Sequence, residues 1–474
     1  MKRIAIIGAG LSGLAAAWQL AREGQSQFVL YEATKRLGGT VETERIETSE
    51  GTFVIECGPD AWITEKPWAR ELAIELGLED EIISSNDHIR RTYLLQDNEL
   101  VPMPDGMRMM VPTRWEPIME SPLFSEQARL AYQQEPRNAE ALKQSAIKEN
   151  EDESVASFVR RHFGDEVTRT IAGPLLAGIF GGDIDQLSAR AVMPAFLKME
   201  REHGSLITAL QKKQNPKAES APVFTTLKSG LQTLIDRMQQ ALPPDTVRFE
   251  HPVNAITRQA GQWQVATSGT KENFDAVIVA TPAHITRELL RPIHGDFATL
   301  LQMEATSAIV VALAFSIEQS TRLSIPPGFG YLVPPPARPQ DSDHTQLLAC
   351  TFVDQKYEHR APPGAVLLRA FFGAAAAEAL RNESDADLIT LAHQRLSAAL
   401  CPLPEPTVSL VRRWPLSLPQ YAVGHVERMT RLAALAETFP GLQLIGNAYH
   451  GVGLPDMVRQ GREAARKVAH LTTA

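Results

Sequence analysis

The chain has 474 residues, 44% of them hydrophobic and only 6% aromatic, enough to bury a large core and too many for one ordinary domain, so two or three domains are expected. A formal charge of −9 argues against a nucleic-acid footprint. Cys57, Cys350 and Cys401 are isolated, with no C-x-x-C pair, which points away from a structural zinc site or a disulfide framework and fits a reducing cytosol.

At the amino terminus Lys2 and Arg3 precede an uncharged stretch, Ile4 to Ala21, that superficially resembles a signal peptide. Its glycines, and Arg22-Glu23 in place of a small-residue cleavage site, argue against that reading. Residues 2–7 read as a buried strand, Leu11–Glu23 as a helix and Gln27–Tyr31 as a second strand, a βαβ unit. Gly8-Ala9-Gly10-Leu11-Ser12-Gly13 is then a G-x-G-x-x-G loop in its required strand–turn–helix setting. Gly8 makes the tight turn, Gly10 admits a pyrophosphate, and Gly13 lets helix and strand pack closely. Glu32, at the end of the second strand, is placed to accept hydrogen bonds from ribose hydroxyls and disfavours a 2′-phosphate. Arg36-Leu37-Gly38-Gly39-Thr40 adds two glycines through which backbone amides can approach a second part of an extended cofactor.

From Pro117 to Arg201 the spacing turns helical with charged faces, which reads as an insertion. Within it, Glu135–Glu153 is polar enough to be a mobile surface segment. Gln211–Ala221 reads as a linker. Ala276–Ala280 is a dense apolar strand ending in Thr281-Pro282, and the apolar run Ala305–Ile317 is short of the roughly 20 residues that span a bilayer. Pro334–Asp343 reads as a rigid exposed loop. The strand-like runs Leu347–Phe352 and Val366–Phe372 suit a second sheet lining a pocket. Leu442–Ile445 is a third apolar strand, and Gly446 to Asp456 forms a second glycine-rich turn into a helix, Met457–Ala469, with Pro455 suited to the first turn. Backbone amides at such a helix start can stabilise an anionic reduced flavin. Strands from the start, middle and end of the chain together suggest one discontinuous cofactor domain.

Beyond the glycine motifs, the chain carries Glu56-Cys57-Gly58-Pro59-Asp60, Leu100-Val101-Pro102-Met103-Pro104, Val111-Pro112-Thr113, Pro174 to Asp183, Thr226 to Leu234 and Gly451 to Asp456. In these blocks it resembles the flavin amine oxidase superfamily from end to end, and within it the bacterial type of protoporphyrinogen/coproporphyrinogen oxidase. The Gly178–Asp183 segment speaks against an amine oxidase or a carotenoid desaturase, the sister readings. A non-catalytic tetrapyrrole carrier is a further alternative.

The resemblance implies an α/β plus α+β architecture. Its parts are a discontinuous Rossmann-like FAD-binding domain (1–85, 227–296, 436–474), a sheet-based substrate domain (86–111, 205–226, 297–435) and a helical insertion (112–204). It implies FAD contacts at Gly8, Gly10, Gly13, Glu32, Arg36, Gly38, Gly39, Gly58, Val253, Val452 and Leu454. A substrate cavity is implied at Asp60, Arg91, Gly178, Leu332 and Phe371. Arg91 matches an arginine that pairs with a propionate in the protoporphyrinogen-type enzymes, whereas Lys66, in Thr64-Glu65-Lys66, resembles bacterial relatives that oxidise coproporphyrinogen, and the two hints disagree. Arg369, two residues before Phe371, leaves the polarity of the cavity open.

The implied reaction is six-electron oxidation of coproporphyrinogen III or protoporphyrinogen IX by molecular oxygen, giving hydrogen peroxide, in haem biosynthesis. No protein base and no metal-ligand motif is evident. The expected setting is the cytoplasm, with peripheral contact at the inner face of the membrane, hand-over to a ferrochelatase, and a monomeric or homodimeric state left open. Glu135, Glu140, Glu149, Glu151, Asp152 and Glu153 argue against strong attachment to anionic lipid.

Overall fold

The computed structural model describes residues 1–213, 222–335 and 343–470. The linker expected at Gln211–Ala221 lies mostly outside them, with Gln211, Lys212 and Lys213 closing the helix Leu206–Lys213. Residues 336–342 of the proline-rich loop also lie outside.

The expected βαβ unit opens a five-stranded parallel sheet. Its strands run in the order Val247–Arg248, Ser26–Tyr31, Lys2–Ile7, Ala276–Val279 and Leu442–Leu444. Ile4 sits between Phe28 and Ala276 in register. Ile4 to Ile7 and Ala276 to Val279 are buried throughout, because a parallel sheet is covered on both faces and its inner strands are apolar on both sides. The helix Leu11–Glu23 covers one face and ends at Gly24, whose left-handed φ of 65° closes it. Against it lies the carboxy-terminal helix, Leu454–Ala469, which begins earlier than Met457 and carries Pro455 in its first turn. The two helices approach so closely at Gly461 that a Cβ there would fall 2.3 Å from the Ser12 carbonyl oxygen.

A second sheet of seven strands has the order Val408–Pro419, Ala305–Phe315, Val366–Phe372, Ala349–Phe352, Gly330–Leu332, Thr92–Gln96 and Glu99–Pro102. The apolar run at Ala305 is thus a strand. It is buried on both faces, with Val311 and Leu313 in one core and Ala312 and Ala314 in another. On one side Tyr331, Cys350 and Ala370 pack against Leu388, Ala392 and Leu396 of the helix Asp385–Ala399. Among the described residues, no helix is long and apolar enough to cross a membrane.

The insertion is helical as expected, but the tract Glu135–Glu153 is not a mobile polar segment. It contains the helix Ala139–Ser145, and Glu135 is 1% exposed. Glu135 accepts hydrogen bonds from Ser205 Oγ (2.6 Å) and Leu206 N (2.7 Å) and meets His162 Nδ1 at 3.0 Å. The other ring nitrogen of His162 meets Glu200 at 3.1 Å, and Arg161 bridges Glu200 and Glu153. Asp152 accepts from Ser188 Oγ and from Gly424 N. Local composition reads these carboxylates as solvated; their donors come from helices distant in sequence. Only Glu140, Glu149 and Glu151 of the six acids are exposed.

Burial opposes a charge on His162, but hydrogen bonds to Glu135 and Glu200 outweigh it and hold the imidazole above the ordinary histidine pKa. A group that binds its proton more tightly when folded contributes fully below its unfolded pKa and loses that contribution as pH rises through the folded one. His162→Gln is therefore expected to cost about 3 kcal/mol at pH 6, by leaving buried carboxylates uncompensated. Denaturant melts should give a smaller cost at pH 9, and an equal cost at both values would refute a protonated His162.

Candidate functional site

Three glycines of the first loop act for three different reasons. Gly8 has φ 97°, and a Cβ there would lie 2.8 Å from Ala280 O, where the middle strand passes. A Cβ on Gly13 would fall 1.9 Å from Gly8 O, so the helix can start close to the strand only without a side chain. Gly10 is the opposite case: a Cβ there would meet nothing within 4 Å among the described residues. That open side, at the start of the helix Leu11–Glu23, is where a pyrophosphate fits.

From Gly10 a corridor of bare backbone continues. Gly10 bridges Gly38 as a parallel pair, and Gly38 N donates to Ala9 O at 2.9 Å. A Cβ on Gly39 would sit 3.1 Å from Gly10 Cα, and one on Gly58 would sit 2.0 Å from Thr40 O. Arg36 staples this turn by donating to Leu37 O and Val41 O, at 3.0 and 2.7 Å, and to Gly39 O. Glu32 accepts from Ala9 N at 2.9 Å and from Thr34 N and Oγ. It thereby fixes the loop while standing at the expected strand end. Val253 follows a segment whose His251 N donates to Glu32 O.

The carboxy-terminal turn closes the corridor's other side. Tyr421 Oη donates to Asn447 O at 2.6 Å and accepts from Gly451 N at 3.0 Å. Val452 is half-buried, and Leu454 is buried in the core beneath. Asp456 folds back over Gly451 and pairs with Lys66 at 2.6 Å.

The second sheet supplies an apolar wall. Cross-strand register places Leu332, Ala349 and Phe371 side by side on one face. They lie mid-sheet yet remain partly exposed, whereas Tyr331, Cys350 and Ala370 behind them are buried. An apolar row left partly open at the centre of a sheet is a surface that an apolar ligand can cover. The backbone of Gly178 stands beside Leu332, which lies 3.9 Å from where a Cβ would be. Arg91, just before the strand Thr92–Gln96, is exposed and has no side-chain partner among the described residues.

Wall and corridor are joined by Arg369 and Asp60, which the sequence singles out, and by Lys356, Arg360 and Trp414, which it does not. The Arg369 guanidinium lies 4.9 Å over the Phe371 ring, donates to Gly58 O, and pairs with Asp60 at 3.5 Å. Lys356 Nζ donates to Asp60 Oδ2 at 2.9 Å. Arg360 pairs with Glu56 at 3.1 Å and donates to Thr226, and Trp414 Nε1 donates to Cys57 O at 2.7 Å. Burial raises the pKa of Asp60, but Lys356 and Arg369 outweigh it and hold the carboxyl below its ordinary range.

The whole chain has known relatives. Residues 11–469 match the model of the flavin containing amine oxidoreductase family. Coproporphyrinogen III oxidase of Bacillus subtilis (strain 168) is 33% identical, covering 98% of this chain and 97% of its own. Protoporphyrinogen oxidase 1, chloroplastic, of Arabidopsis thaliana is 27% identical, covering 98% and 87%. A crystal structure from Exiguobacterium sp. 255-15, assigned provisionally as a protoporphyrinogen oxidase, superposes with a TM-score of 0.84 at 30% identity, covering 99% of this chain and 98% of that one. Cyclohexylamine oxidase from Brevibacterium oxydans IH-35A shares the fold at a TM-score of 0.69 and 16% identity, covering 99% and 98%. The glycine corridor, the parallel sheet around it and these full-length matches lead to one conclusion: the chain belongs to the flavin containing amine oxidoreductase family and is a flavin-dependent oxidoreductase.

Proposed function

We propose that the chain is an FAD-dependent oxidase of a porphyrinogen in haem biosynthesis, with coproporphyrinogen III preferred and molecular oxygen as acceptor. The half-open row Leu332, Ala349 and Phe371 beside the corridor carries this reading. A porphyrinogen is broad and apolar on its faces and carboxylated at its rim, so it needs a flat apolar wall with cations at the edge. The coproporphyrinogen oxidase among the relatives supports the substrate branch.

The open side of Gly10 fits the FAD pyrophosphate, and Glu32 stands where ribose hydroxyls can reach it. Gly8, Gly13, Arg36, Gly38, Gly39, Gly58, Val253, Val452 and Leu454 complete the proposed cofactor surface. Asp60, Lys66, Arg91, Gly178, Leu332 and Phe371 form the proposed substrate surface. Bound FAD supplies the hydride acceptor, while the chain's own residues hold one methylene carbon in place and exclude water. The two rim cations are not equivalent. Lys66 is already answered by Asp456, which leaves Arg91 as the principal propionate anchor by guanidinium–carboxylate pairing.

Purified, flavin-reconstituted protein is expected to form fluorescent porphyrin and peroxide rapidly with coproporphyrinogen III in air, and more slowly with protoporphyrinogen IX. A flavin that neither substrate bleaches without air would favour an amine oxidase or a carrier. Arg91→Ala should raise KM for coproporphyrinogen III about tenfold with kcat little changed, since an anchor remote from the reacting carbon contributes uniform binding. Gly10→Ala should melt like wild type without cofactor yet bind FAD at least about tenfold more weakly, because its methyl enters the pyrophosphate space. Gly13→Ala should instead lower the melting temperature of the cofactor-free protein, and the reverse pattern would refute these glycine roles.

A further inference from the structure

The Lys356 hydrogen bond and the Arg369 ion pair both fall on Oδ2 of Asp60. Oδ1 receives no hydrogen bond among the described residues. Asp60 keeps 19% of its side-chain surface, against 12% for Lys356 and 1% for Arg369. One carboxylate oxygen is thus engaged by two cations, one of which, Arg369, also contacts Gly58 O and lies over Phe371, and the other oxygen is left without a protein donor among the described residues.

We propose that Asp60 Oδ1 is the acceptor of the pyrrole N–H proton during oxidation, with Lys356 and Arg369 as positioning residues that keep Asp60 ionised and turned toward the cavity. The inference rests on the porphyrinogen reading above. In each two-electron round one C–H bond of a methylene bridge would break and its electron pair would leave with the hydrogen as hydride, for which bound flavin would be the acceptor. As the hydride leaves, positive charge grows on the macrocycle and makes a neighbouring N–H strongly acidic, so that hydride loss and N–H loss share one transition state. That N–H bond breaks, its electrons form the new C=N bond, and the proton passes to Asp60 and then to water; over three rounds three hydrides and three N–H protons leave, and one imine–enamine tautomerisation moves a proton from the fourth methylene carbon to a ring nitrogen, so that four meso C–H and two N–H bonds are lost in all. Oxygen takes the two electrons and two protons and leaves as hydrogen peroxide. A carboxylate with a depressed pKa suffices as acceptor because its donor is acidic, and it stays ionised through neutral pH.

The charged and titratable groups facing Asp60 are Lys356, Tyr357 and Arg360 from the helix Val353–Lys356 and the turn after it, and Arg369 from its strand, while Glu56, from the strand Gly51–Glu56, meets Tyr357 and Arg360 behind them. Three cations against two carboxyls leave the pocket positive. Removing one cation should raise the Asp60 pKa.

The test is anaerobic stopped-flow bleaching of the holoenzyme flavin by coproporphyrinogen III across pH. Asp60→Asn is expected to bleach at least about 100-fold more slowly, the usual scale for a lost general base. Lys356→Met should move the acid limb of the rate profile to higher pH by about one unit, because the carboxylate then protonates sooner. Lys356→Arg, which keeps the charge, should restore the wild-type limb. The substrate's own propionates contribute equally to all variants, so the Met and Arg pair isolates the protein group even where Asp60→Asn does not fold. An acid limb unmoved in Lys356→Met would overturn the assignment while leaving the substrate reading intact. A wild-type flavin that no porphyrinogen bleaches would instead overturn the substrate reading itself.

Discussion

A guanidinium with 1% of its surface exposed must be compensated inside the protein, and Arg369 finds that compensation only by spanning two parts of the fold. Its own strand belongs to the seven-stranded sheet; its partners Gly58 O and Asp60 belong to the glycine corridor. Losing Asp60 would leave that desolvated charge without its counter-ion, at a cost of about 3–5 kcal/mol. The corridor is therefore held at one distance from the apolar wall. Arg360 with Glu56 and Trp414 with Cys57 O make the same kind of link on either side.

The glycine loop was legible in sequence because its determinants are local. Gly8, Gly10 and Gly13 act on backbone a few residues away, and the strand–turn–helix context can be read within one βαβ unit. Arg36 and Glu32 were placed correctly at their loop and strand end, but their hydrogen bonds to the glycine turn itself could not be foreseen. The apolar wall was half legible: Val366–Phe372 reads as a strand, yet which of its residues face a cavity depends on register with Ala349 and Leu332.

What sequence patterns missed shares one physical cause. Lys356 and Arg360 lie in a run, Asp354 to Arg360, that has the composition of a solvated turn, and their carboxylate partners lie near residues 56–60. Lys66 meets Asp456 across the length of the chain. The tract around Glu135 was misread for the same reason. A charged side chain reads as surface until its counter-charge is seen, and periodicity carries no information about counter-charges from distant segments.

The parallel sheet also sets an order of events in the making of the protein. The strand Lys2–Ile7 is central, but one neighbour is Ala276–Val279 and the outer strand is Leu442–Leu444, while Gly461 must seat on Ser12 to cover the first helix. A ribosome adding about 5–20 residues each second delivers those pieces on the order of tens of seconds after the first strand emerges. Through that interval the nascent amino-terminal unit carries an apolar strand edge and an uncovered helix face, while later modules complete themselves. A chain stopped before Leu442 would thus lack both the outer strand and the helix Leu454–Ala469 that covers the first helix.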